Sequence, residues 1–414
     1  MIRILHTADW HLGHTFTSYD RTHEHLHFLN WLKTTIKEQN IDVLLIAGDV
    51  FDVSNPSAQS QRTFYQFIQD ITTTHPHLQI VVTAGNHDSP SRLETPIPLF
   101  SDKRISVIGL VPRQEGLIDY KRLIVPLLNR NEEVEAFVLA VPFLRQGDYP
   151  RVDAANPYAA GVYQFYTDLV TEAENQRNSN QALIAMGHMQ TIGSEFVESA
   201  DRSEKFIIGG LEAVPTALFA ELNYTALGHI HKAQRISGCE HIRYSGSPLP
   251  MSFAEKNYKH GVVVVELDQG KTISIERMNY EPLVKMISVP SEGGFATPSE
   301  ILAELKELPT QIDSDDSTIY PFLEVKVRLE EPEPLLQHRI TEVLADKAVR
   351  LCRMPSEMRM NSNSYSDEYV SMEGLSTLSP LDIVQKEFSR KYDTDMPDSL
   401  IDLFNQVCSE IEIE

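Results

Sequence analysis

Short apolar runs recur along the first 280 residues, at 2–6, 43–47, 80–84, 137–141, 183–186 and 224–227. Each has the length of a buried strand and is too short for a core helix. Between the first three lie 24–37 and 58–71, where apolar side chains return every three or four positions, as on one face of a helix. Strand, helix, strand is the rhythm of a layered α/β domain.

The pattern changes near Pro282. Residues 284–289 read as a strand, 299–305 as a helix, 322–329 as a strand, 334–344 as a helix and 348–353 as a strand. Stretches 290–298 and 312–318, rich in Pro, Gly, Ser and Asp, read as loops of this βαβαβ unit. A polar segment at 361–368 then leads to two short amphipathic helices. Ser379 can cap the first, with Pro380 at its first position. Leu381, Val384 and Phe388 form one stripe, and Leu400, Leu403, Phe404, Val407 and Ile411 the other. The expected division is 1–280, 281–358 and 359–414.

Composition narrows the setting. No run of about 18 apolar residues occurs, so no membrane span is expected. The N-terminus enters a strand at once, without the apolar region of a secretion signal. The three cysteines, Cys239, Cys352 and Cys408, form no CxxC pair, so neither a disulfide framework nor a zinc ribbon is expected. A reducing cytoplasm fits both observations. The formal charge of −23 argues against a free-standing DNA binder with a basic surface. Charge is segregated, however. Residues 360–414 hold twelve acids and three bases, whereas 228–260 hold five bases and two acids. Lys232, Arg235 and Arg243 in that second stretch are candidate phosphate contacts. Bound divalent cations would add positive charge where a phosphate must sit.

Five motifs carry the chemistry: Asp9-Trp10-His11, Gly48-Asp49-Val50-Phe51-Asp52, Gly85-Asn86-His87-Asp88, Gly187-His188 and Gly228-His229-Ile230-His231. Each alone has an ordinary explanation as a turn or a satisfied core histidine. Together, each closely follows an apolar strand candidate, and ligands in layered α/β proteins bind beyond the carboxyl ends of strands. Carboxylate, amide oxygen and neutral imidazole suit divalent ions such as manganese. Two ions about 3.5–4 Å apart clamp the attacking and leaving oxygens of a phosphodiester, and such a pair needs a bridging carboxylate. His23, His25 and His27, two apart on a helix, do not face each other and make a poor metal site. No Gly-x4-Gly-Lys-Ser/Thr occurs, so ATP hydrolysis by this chain is not expected.

The motif order resembles the calcineurin-type metallophosphoesterase superfamily. The longer strings His6-Thr7-Ala8-Asp9-Trp10-His11-Leu12-Gly13, Pro142-Phe143-Leu144-Arg145 and Arg243-Tyr244-Ser245-Gly246-Ser247-Pro248 are similar to its bacterial SbcD branch of Mre-type nucleases. The resemblance implies an α/β (α+β) fold: a layered β-sandwich flanked by helices, with a small α/β capping domain and C-terminal helices. It implies one metal held by Asp9, His11, Asp49 and His231, and a second by Asp49, Asn86, His188 and His229, with Asp49 bridging. His87 matches the catalytic, non-ligand histidine, and Asp88 is placed to orient or charge-stabilise it. Some relatives carry a histidine where this chain has Asp52. The resemblance further implies two Mn2+ ions, 3′–5′ exonuclease action on duplex DNA and single-strand endonuclease action. Its implied partner is an SbcC-like coiled-coil ABC-type ATPase, in a heterotetramer built on a homodimer, within the cytoplasm at the nucleoid. The alternative is a general metallophosphatase or phosphodiesterase of small phosphoesters.

Overall fold

Alternation along each strand decides which layer a side chain joins. Ile2, Ile4, Val43, Leu45, Ala47 and Val81 face one core, while Leu5, Leu44, Ile46, Ile80 and Val82 face another. A computed structural model describes residues 1–100, 104–195, 213–312, 316–330 and 333–358, with scattered positions of the tail. Strands β1 (Ile2–Thr7), β2 (Val43–Ala47), β3 (Gln79–Thr83) and β4 (Ile105–Ile108) run parallel. Helices α1 (Thr22–Glu38) and α2 (Ala58–Thr74) supply Phe28, Leu29, Leu32, Phe64, Phe67 and Ile71 to the outer core of this sheet.

The second sheet contains β5 (Ile124–Leu128), β6 (Val134–Ala140), β7 (Ala182–His188), β8 (Tyr224–Gly228), β9 (Gln234–Ile236) and β10 (Cys239–Tyr244). β6, β7, β8 and β10 are mutually parallel neighbours, with β5 and β9 antiparallel at the edges. Helix α3 (Pro157–Glu174) packs Val162, Phe165, Tyr166 and Leu169 into the core that this sheet shares with the first. β11 (His260–Asp268) and β12 (Lys271–Tyr280) form a hairpin that returns to the first sheet beside β1. Two six-stranded sheets thus face each other, with parallel strands at the heart of both.

The hairpin β11–β12, strands β4, β5 and β10, and helix α3 add to the elements expected from apolar patterning. His260 opens β11 and is buried, with Nδ1 2.8 Å from the Ser247 carbonyl.

Beyond Pro282, β13 (Met286–Val289), β14 (Phe322–Val325) and β15 (Arg350–Arg353) form a parallel three-stranded sheet. Helices α4 (Pro298–Lys306) and α5 (Leu336–Leu344) pack with it around Ile301, Leu305, Leu323, Val325 and Ile340. The expected strand 322–329 is broken at Lys326, after which Val327–Leu329 pairs elsewhere. Phe16 and Phe253 meet Val284 and Phe322 in a small apolar cluster. Beside it, the fully buried Arg21 forks onto Glu24 through two 2.8 Å contacts and donates to the Pro250 carbonyl at 2.7 Å. Its guanidinium lies near the Phe16 and Phe322 rings, so removing either charge of the pair would strand the other in the core.

Residues Met1–Glu357 form one compact unit and Met358–Glu414 another. In the second, the described positions Leu381, Val384, Phe388, Leu400, Leu403 and Phe404 are helical, in keeping with the two stripes. The polar segment 361–368, Ser379, Pro380, Val407 and Ile411 lie outside the described residues. No described helix is long and apolar enough to cross a membrane.

Candidate metal centre

The segments leaving β1, β2, β3, β7 and β8 converge at one end of the two sheets. The chain after β1 runs alongside the chain after β2: Asp9 N–H donates to the Gly48 carbonyl (3.1 Å), His11 to Asp49 (3.0 Å) and Leu12 to Val50 (2.9 Å). Four residues there carry backbone strain. Asp9, His11, Asp49 and His229 have φ of 55°, 47°, 49° and 93°, a region that side chains other than glycine rarely adopt. Glycine is sterically required at several of these turns, Gly48 and Gly85 among them. A Cβ on Gly48 would collide with His188 Nδ1, and one on Gly85 with the Asp49 carboxylate.

Side-chain atoms converge accordingly. His11 Nε2 and His231 Nε2 are 3.2 Å apart, and His11 Nε2 lies 3.7 Å from Asp49 Oδ2. His188 Nε2 is 3.1 Å from that same Asp49 oxygen and 3.0 Å from Asn86 Oδ1. Asn86 Oδ1 is also 3.0 Å from His229 Nδ1. Ligand atoms of Asp9, His11 and His231 lie within 4.8 Å of one another, as do those of Asp9, Asp49 and His188. All seven expected metal residues are therefore brought together, with Asp49 between the two groups.

The donor set fits divalent cations. Asp9 Oδ2 is buried without a hydrogen-bond partner, an arrangement that costs free energy unless a cation faces it, and the equally buried Asp49 Oδ2 meets only the nitrogens of His188 and His11. Second nitrogens of the histidines are held from behind, as in metal centres generally. His188 Nδ1 is 2.9 Å from the Ala47 carbonyl, His231 Nδ1 is 3.2 Å from Glu255 Oε1, and His11 Nδ1 is 3.3 Å from Asp52 Oδ1. Each contact directs Nε2 into the site. Glu255 is fully buried and also accepts the Met251 N–H at 2.9 Å. Apolar patterning gave no sign of it, because its partner lies 24 residues away.

Electrostatics in the metal-free cluster follow from burial and crowding. Burial pushes Asp9 up. Burial pushes Asp49 up too, but His188, His11 and His87 outweigh it and hold the carboxyl well below its ordinary range. Burial lowers His188, yet the Asp49 charge overrides this and lifts it to about 9.

His87 and Asp88 differ in setting. The His87 ring is half-buried and stands edge-on to His11 at 4.9 Å. Its Nδ1 is 2.7 Å from the Asp52 carbonyl, and its backbone N–H donates to Asp49 Oδ1 at 2.9 Å. Asp88 is buried and accepts the N–H groups of Gly85 (2.9 Å), Phe51 (3.0 Å) and Val50 (3.2 Å). Burial, then the Asp49 charge, pushes its carboxyl up to about 6. Asp88 thus pins two site loops together, and the Asp52 carbonyl is one contact of the His87 ring. The side chains of His25 and His27 meet the Trp10 carbonyl (3.1 Å) and the Tyr280 hydroxyl (2.8 Å), and neither belongs to the clustered ligand groups.

The basic candidates stand among acids. Lys232 pairs with Glu195, while Arg235 and Arg243, opposite each other on β9 and β10, both pair with Glu240.

Residues 2–233 match the calcineurin-like phosphoesterase family model, and 282–392 match the model described as type 5 capsule protein repressor C-terminal domain. The chain is similar to the SbcD subunit of the SbcCD nuclease of Rhodobacter capsulatus, 36% identical over 86% of this chain and 85% of that one. The proteins of the same name from Escherichia coli K12 and Bacillus subtilis are each 33% identical, covering 67% and 69% of this chain and 68% and 72% of their own. With its site built on the strand ends of a calcineurin-like phosphoesterase fold and this likeness along most of its length, the chain belongs to the SbcD family of SbcCD nucleases.

Proposed function

We propose that this chain is the nuclease component of an SbcCD-type complex, hydrolysing DNA phosphodiesters with two divalent ions, Mn2+ in the cell. Asp9, His11, Asp49 and His231 hold one ion; Asp49, Asn86, His188 and His229 hold the other. The single observation that carries the reading is the convergence of two buried carboxylates, Asp9 with an unpartnered Oδ2 and Asp49 with only site histidines against its Oδ2, on four histidines and an asparagine oxygen. When bound, the ions supply Lewis-acid activation of water and offset charge on the phosphoryl oxygens. The protein's own part is positional. Asp49 spans both sites, and its Oδ1 is steadied by the His87 backbone N–H. His87, with Nδ1 engaged by the Asp52 carbonyl, presents Nε2 as the atom that passes a proton to the leaving oxygen. Asp88 acts as a positioning residue by clamping the loops after β2 and β3.

The expected actions are 3′–5′ exonuclease on duplex ends and endonuclease on single strands and hairpins, in DNA repair, recombination and replication. Residues 281–358 act as a capping domain. The tail helices dock on an SbcC-like ATPase through their apolar stripes, as helix-in-groove binders do. Two copies of each chain form the working assembly at the nucleoid. A manganese-dependent assay on labelled duplex DNA, with and without the partner ATPase, tests the reading. Hydrolysis of p-nitrophenyl phosphate or cyclic nucleotides in preference to DNA would replace it with a small-phosphoester enzyme. Removing 379–414 should leave a folded nuclease that no longer co-purifies with the ATPase.

A further inference from the structure

The basic residues expected to meet DNA each face an acid, but Arg145 does not. It sits on the segment leaving β6, on the side of the centre lined by His188 and His229. Phe143 N–H donates to the Ala84 carbonyl at 2.8 Å, tying this segment to the turn that carries Asn86 and His87. The Phe143 ring meets His188 edge-on, with centroids 6.2 Å apart, and lies 6.4 Å from the His229 ring. The Arg145 guanidinium lies over the Phe143 ring, 5.3 Å from its centroid. One aromatic ring therefore separates this cation from two of the metal-site histidines.

Asp148, the acid in the same loop, accepts the backbone N–H of Arg145 at 2.9 Å. Among the described residues the guanidinium itself makes no ion pair or hydrogen bond. That is unexpected in a chain with 59 acidic and 36 basic side chains. A guanidinium resting on an aromatic face keeps its charge and its N–H edges available for an anion, which it can grip through two parallel bonds.

We propose that Arg145 is a substrate-binding residue that clamps a DNA phosphate neighbouring the one hydrolysed, with Phe143 as its platform. The assignment rests on the nuclease reading above. Its rival is a purely structural role, in which Arg145 braces Phe143 and, through it, the two histidines.

The full-length, manganese-loaded protein is compared with Arg145→Gln and Arg145→Lys. Substrates are a labelled DNA duplex and bis(4-nitrophenyl) phosphate, a diester with no neighbouring phosphate. For Arg145→Gln, KM for DNA should rise about tenfold, the loss of one charged hydrogen-bonding contact, with kcat changed far less. The slope of log binding constant against log salt should shrink by about one, as for one lost phosphate contact. Arg145→Lys should restore the slope while recovering only part of KM. Hydrolysis of the small diester should fall much less than that of DNA. An unchanged KM and salt slope would overturn the proposal. So would equal loss on both substrates with loss of bound metal, which is the structural role. If the unaltered protein hydrolyses the small diester but not DNA, the nuclease reading fails first and takes Arg145 with it.

Discussion

At the strand ends holding Asp9, His11, Asp49 and His229, four residues take left-handed backbone and Asp9 Oδ2 is buried without a hydrogen-bond partner. The three-stranded unit from Met286 to Arg353 is built from the same parts, parallel strands and covering helices, yet follows the local rules. Among its described residues, only glycines have positive φ. Helix α4 starts with Pro298 behind a closed capping box of Thr297 and Glu300. Its buried carboxylate, Glu324, is met by Ser288 at 2.9 Å and Arg353 at 2.6 Å. Left-handed backbone at side-chain-bearing residues beside an unpartnered buried carboxylate therefore marks where a ligand completes the structure, while the three-stranded unit meets its buried carboxylate from within.

The sharpest way to break this contrast is at Asp49. Asp49→Ala should abolish binding of both metals and reduce nuclease activity to background, read by mass spectrometric metal analysis and a DNA assay. Two tightly retained ions would remove its bridging role. His87→Ala should keep both metals and the fold while lowering turnover about 10²–10⁴-fold, the usual contribution of an acid–base group. Full activity would take His87 out of the mechanism.

A pH series refines the same contrast. In the metal-free protein, burial is outweighed by Asp49 and His188 is raised to about 9, above its ordinary 6.5. The stability gained from that protonated pair is complete below the unfolded value and is lost as pH rises through about 9. A metal must displace this proton, so calorimetry should show affinity climbing up to about pH 9, by about tenfold per unit from this group. Affinity independent of pH between about 7 and 9 would contradict the assignment. The smallest effect belongs to the self-sufficient unit. Thr297→Ala should cost about 1 kcal/mol through the lost helix cap, lowering the melting temperature without altering metal content or hydrolysis. A change in either would mean the two regions are coupled.

Much of this was legible without coordinates because its signals are local. The run from Val43 to Ala47 alternates between two cores, and the glycines of Gly48-Asp49 and Gly85-Asn86 announce the turns that follow. Helix α3 was not among the expected elements, although Asn156 and Pro157 are a local start signal for it: the asparagine side chain accepts the Ala159 N–H at 3.0 Å. The hairpin β11–β12 was also not among them, although its valine run and the Asp268-Gln269-Gly270 turn are the local signal that marks it.

Residue type and order alone determined the layered α/β architecture and the inventory of carboxylate, amide and imidazole ligands, since both follow from periodicity and donor chemistry. Tertiary structure decided which groups serve each other across long stretches of chain. It brought Glu255 behind His231, set the Asp52 carbonyl against His87, and turned Asp88 towards three backbone amides. It also matched Lys232, Arg235 and Arg243 with acids while leaving Arg145 on Phe143. The reason is physical: a charge's role depends on the dielectric and partners around it, and those are fixed only when distant segments are packed together.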